Sequence, residues 1–112
     1  MNGVAARVKS LREFLMKHAD LLELGISATG LHPKLAARVR TLPLGGPRAI
    51  RAALEEARAY LRQDADLEAA SLSLTGLVVL NVLWHRRGFM RVNETKMDAL
   101  IIGAVRPLFR GN

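Results

Sequence analysis

The chain has 112 residues, 50% of them hydrophobic, with 17 Lys and Arg against 10 Asp and Glu and no cysteine. That length predicts one domain over residues 1–112, with a core that needs no disulfide or structural metal. The missing thiols exclude disulfide scaffolding, thiolate zinc sites and cysteine nucleophiles, and the net charge of +7 points to polyanionic partners.

Val4, Val8, Leu11 and Leu15 recur at steps of four and three, which predicts a first helix ending near Lys17 or His18, with Lys9, Glu13 and Lys17 on its far side. This terminus is too charged for a secretory signal, and Glu13 with few serines argues against a transit peptide. Residues 20–30 read as a short helical turn passing into a glycine-containing loop. Pro33 suits the first turn of a short helix that buries Leu35, Val39 and Leu42 and stops at Pro43. Pro47 opens a stronger helix, in which Ile50, Leu54, Ala57 and Leu61 form a buried seam while Arg48, Arg51, Glu55, Arg58 and Arg62 face outward. From Asp66 or Glu68 onward, Leu67, Leu72, Leu74, Leu77 to Leu80 and Val82 to Trp84 cover every side of a helical projection, which predicts a helix at the centre of the fold. Its uncharged stretch, Ala69 to Trp84, is shorter than the roughly 20 residues of a membrane span and is interrupted by Ser71, Ser73, Thr75 and Asn81, so a core helix is expected. Gly88 fits a C-terminal cap. Thr95 with Asp98 resembles a capping box for a last helix facing inward with Met97, Leu100, Ile101, Ala104, Val105 and Leu108, and limited by Pro107. The expected fold class is all-α, a bundle of about five helices around a central hydrophobic helix.

Charge is clustered along this order. Residues 31–51 carry Lys34, Arg38, Arg40, Arg48 and Arg51 with no acid, around the turn string LPLGGPR. Glycine frees backbone amides and a helix start contributes positive potential, so Gly45, Gly46, Arg48 and Arg51 form a candidate phosphate site that Lys34, Arg38 and Arg40 extend. The alternative for the same residues is a solvated basic face, with Arg51 and Arg58 both pairing to Glu55.

The stretch KLAARVRTLPLGGPRAIRAAL, Lys34 to Leu54, resembles the helix-hairpin-helix motif: a short helix ending in Leu-Pro, a glycine turn and a second helix. Leu42, Pro43, Gly46 and Pro47 match the motif, while Leu44 stands in place of its first turn glycine, Gly45 in place of its apolar residue and Ile50 where a small residue is usual. The resemblance covers about one fifth of the chain and implies backbone binding to DNA without sequence reading.

Other constellations carry less. No two of His18, His32 and His85 have helical metal-ligand spacing, and Ser71, Ser73 and Thr75 have no evident base, so neither a metal, a cofactor nor an enzyme is expected. Asp64, Asp66 and Glu68 read as charge complementing a helix start. Phe14, Tyr60, Trp84, Phe89 and Phe109 sit beside apolar seams and are expected in the core, which favours double-stranded DNA over single-stranded RNA. The expectation is a cytoplasmic nucleic-acid-binding protein, a regulator or accessory subunit of a nucleoprotein complex. The alternative is an assembly subunit of a phage or secretion-type complex that meets an acidic partner or forms a homo-oligomer through the Val4 to Leu15 and Ile50 to Leu61 seams.

Overall fold

A computed structural model of the chain describes residues 2–23 and 46–111. The predicted helix at Pro33, the loop before it and the turn through Gly45 lie outside the described residues. The described residues form an all-α bundle: α1 (Asn2–Lys17), α2 (Gly46–Glu56), α3 (Leu67–Arg86) and α4 (Glu94–Val105), with a further helical stretch at residues 19–23. Two 3-10 turns, Arg58–Tyr60 and Arg106–Leu108, follow α2 and α4.

The α1 stripe behaves as its periodicity requires. Val4, Val8 and Leu15 are buried and Leu11 packs against them from the edge. Helix α2 buries Ile50, Ala53 and Leu54, but it stops at Glu56, short of the expected Leu61. Leu61 reaches the same core from extended backbone (φ −84°, ψ 158°), bridging to Phe109. Arg62 N donates to the Leu108 carbonyl at 2.9 Å, and Arg110 N donates to the Tyr60 carbonyl at 3.0 Å. The regular spacing therefore foretold which side chains are buried and overextended the helix that carries them. Because both the Val4 to Leu15 and the Ile50 to Leu61 seams are consumed inside the monomer, neither is available for assembly.

Helix α3 starts where Asp66 accepts a hydrogen bond from Ala69 N at 3.0 Å. It ends in a Schellman motif: Gly88 at φ 74°, with Phe89 N donating to Trp84 O at 3.0 Å and Gly88 N to His85 O at 3.2 Å. The left-handed backbone at Gly88 is where a side chain would be strained. Helix α3 packs on α1, α2 and α4, as a central helix should, yet it buries one face only: Leu67, Ala70, Ser71, Leu74, Val78, Asn81 and Val82. On the opposite side Leu72, Leu80 and Trp84 are 56%, 49% and 41% exposed. The expectation of all-round burial fails because α1, which also touches every other helix, occupies the centre with it. At 20 residues and a mean hydropathy of 1.6, α3 has the length and composition of a membrane span, but its inner face belongs to the globular core.

Helix α4 is capped by Asn93, whose side chain accepts from Lys96 N at 2.8 Å, and not by Thr95. Asp98 pairs instead with Lys9 of α1 at 3.3 Å. Met97, Ile101 and Val105 are buried, while Leu100 and Ala104, expected on the same face, are exposed. The three buried positions follow steps of four, a narrower stripe than the sequence offered, because α4 meets mainly one neighbour, α1.

Candidate nucleic-acid interface

Of the expected phosphate-site residues, Lys34, Arg38, Arg40 and Gly45 lie outside the described residues. Gly46 is the first residue of α2, and Arg48 and Arg51 project from its opening turns into solvent. No acidic residue occupies that first turn. The positive end of the helix dipole there has no acid in its first turn and two guanidinium groups alongside.

One turn further on, one of the two ion pairs expected of a solvated face is formed. Arg58 grips Glu55 in a forked pair, Nε to Oε2 and Nη2 to Oε1, each 2.9 Å. Those hydrogen bonds hold the Glu55 carboxyl below its ordinary range, slight desolvation opposes them, and the fields of Arg58 and Arg51 add to the lowering. The Arg58 guanidinium is held correspondingly higher by the same partner. Arg51 is thus felt by Glu55 without being tied to it.

Elsewhere some cations are engaged, while exposed Arg7, Lys17, Arg91 and Lys96 pair with no carboxylate among the described residues. Lys9 pairs with Asp98, Arg12 with Glu94, Arg62 with Asp64, Arg86 with Asp20 and Arg87 with Glu23. Among the described residues Arg48 and Arg51 have no carboxylate partner, and residues 24–45 contain no Asp or Glu to supply one. These two cations stand three residues apart at a helix start with no acid in its first turn.

The acidic cluster is structural. Asp66 caps α3 and Asp64 pairs with Arg62 at 3.3 Å, both beside an open groove of about 550 Å³ that also takes in Leu77 and Leu108. Ser71 and Thr75 direct their hydroxyls to the carbonyls of Glu68 and Ser71, at 2.8 and 2.7 Å. Among the described residues no three His, Asp or Glu side chains gather as a metal site.

The aromatic residues correct the sequence expectation. Phe109 is buried, but Phe14, Tyr60, Trp84 and Phe89 are exposed, because the core is filled by aliphatic side chains from four helices. Sequence reasoning also missed Arg12, which is 4% exposed. Its Nε donates to Asn81 Oδ1 at 3.0 Å and its Nη1 to Glu94 Oε1 at 2.8 Å, joining α1, α3 and α4. The available signal was its place four residues after Val8 and three before Leu15, beside the apolar stripe. The chain matches no protein-family model, no curated protein and no solved structure in the comparisons made.

Proposed function

We propose that this protein binds nucleic acid in the cytoplasm, gripping the phosphate backbone of double-stranded DNA through the basic segment that ends in the first turns of α2. The observation that supports this reading is the pair Arg48 and Arg51, exposed, three residues apart and without a carboxylate partner at a helix start with no acid in its first turn, continuing the acid-free basic run of Lys34, Arg38 and Arg40 in the sequence. A phosphate there meets two forked guanidinium donors and the amide end of a helix, and its binding releases condensed counterions. Lys34, Arg38 and Arg40, with the glycine turn, extend the footprint along the backbone. Such contacts position a protein on a duplex and carry no base sequence.

The test is duplex binding by fluorescence anisotropy over a range of KCl concentrations. Wild-type affinity is expected to fall steeply with salt, and Arg48→Glu with Arg51→Glu to weaken binding at least about tenfold and flatten the log–log salt slope by about 2, near one unit per lost phosphate contact. Affinity and slope unchanged in the double variant reject the segment as the interface. Preference for a single-stranded competitor rejects duplex DNA as the ligand.

A further inference from the structure

The turn between α3 and α4 has no role in the phosphate site at α2, yet its backbone is fixed at both ends. Gly88 N donates to His85 O at 3.2 Å, Phe89 N to Trp84 O at 3.0 Å and Met90 N to Trp84 O at 3.4 Å, and Val92 packs against the core. Between these anchors Phe89 is 78% and Met90 46% exposed. Adjacent large apolar side chains displayed on an anchored turn mark a contact surface. The cations that follow them in the chain are free to serve it. Among the described residues Arg91 and Lys96 are exposed and pair with no carboxylate, and Glu94, the acid between them, is held by Arg12 at 2.8 Å. Arg86 and Arg87, already paired with Asp20 and Glu23, take no part.

The packing sets this turn at the end of the bundle from which α2 begins. Arg12 reaches both Asn81 and Glu94, and Glu23 pairs with Arg87, so the end of α1, the end of α3 and the start of α4 lie together. A groove between α1 and α2 takes in Gly3 and Val4 with Glu56 and Ala57, so α2 runs antiparallel to α1 and its first turns point to that same end. We propose that Phe89 and Met90 form a wedge that enters duplex DNA between two base pairs, while Arg91 and Lys96 hold neighbouring phosphates. The inference takes its ligand from the nucleic-acid reading and adds a deformation of that ligand. Charge selects the occupant: an apolar tip beside unpaired cations matches a polymer that carries flat apolar bases between rows of phosphates. An apolar side chain slipped between base pairs unstacks them and kinks the duplex by roughly 20–90°. The step it enters is one where stacking is weakest, so the protein favours deformable or mismatched duplex without reading base edges.

The test uses the full chain and a short duplex with a fluorophore at each end, either fully matched or carrying one central mismatch. Wild type is expected to raise energy transfer between the two ends as the duplex bends, and to bind the mismatched duplex at least about fivefold more tightly than the matched one. Phe89→Ala with Met90→Ala, at exposed positions, keeps the helical circular dichroism spectrum and the salt slope but loses both the bend and the mismatch preference. Arg91→Gln with Lys96→Gln flattens the log–log salt slope by about 2. A wild type that binds duplex in a salt-dependent way without bending it, or an apolar double variant that still bends it, overturns the wedge and leaves the phosphate grip at α2 standing. An unchanged slope in the Arg91 and Lys96 variant overturns the flanking contacts. A wild type that does not bind duplex removes the wedge together with the grip. Binding to phosphatidylglycerol vesicles in place of DNA, lost in Phe89→Ala with Met90→Ala, gives the turn to a lipid surface and overturns the inference.

Discussion

Arg12 shows how one side chain ties the bundle together. Its guanidinium lies among apolar residues, and a buried charge is tolerated only when hydrogen-bonded, here by Asn81 from α3 and Glu94 from α4. Removing one partner should therefore cost more than removing both. Arg12→Met is expected to lower the unfolding free energy by about 2 kcal/mol in urea titration, since Asn81 loses its donor and the pair with the exposed Glu94 adds little. Arg12→Met combined with Asn81→Leu should be more stable than the sum of the two single changes. The sequence placed Arg12 next to the α1 stripe but could not say that Asn81 would stand opposite it, because the two are 69 positions apart. The same holds at Glu55: spacing allowed both Arg51 and Arg58 as partners, and the 3-10 turn after α2 delivered Arg58.

At the level of elements, the helices were legible because they depend on neighbours along the chain. Asp66 and Gly88 bound α3 as their residue types suggest, an acceptor side chain at the start and a left-handed glycine at the end. The start of α4 was misplaced because Asn93 and Thr95 are both competent caps, and local preference does not choose between residues two positions apart. Asn93→Ala is expected to cost about 1 kcal/mol and Thr95→Ala less than about 0.5 kcal/mol, measured by the shift in urea midpoint at constant slope. The reverse order would put the cap at Thr95. The end of α2 exposes the limit of periodicity. Ile50, Leu54 and Leu61 are all buried at helical spacing, yet Leu61 arrives there in extended backbone, held by hydrogen bonds to residues 108 and 110.

On the scale of the whole molecule, the bundle is closed by contacts distant in sequence. Phe109, the one buried aromatic, packs into the core where the chain bridges back to Leu61, and Arg110 Nε donates to the Leu61 carbonyl at 2.8 Å. Phe109→Ala is expected to destabilise the fold by about 3 kcal/mol in calorimetry, whereas Phe89→Ala, at a largely exposed site, should change it by less than about 0.5 kcal/mol. Equal effects would mean that the aromatic residues share the core as composition alone suggested. The sequence by itself determined that the chain is helical, which residues can enter a core, that thiol chemistry is absent and where basic residues cluster along the chain, because composition, capping and the 3.6-residue repeat act within a few residues. Only the tertiary structure decided which face of α3 turns inward, which arginine is buried and which carboxylates are occupied. Those outcomes depend on which distant helix stands opposite, and in a chain with more apolar surface than its interior can enclose, periodicity names the candidates for burial and packing selects among them.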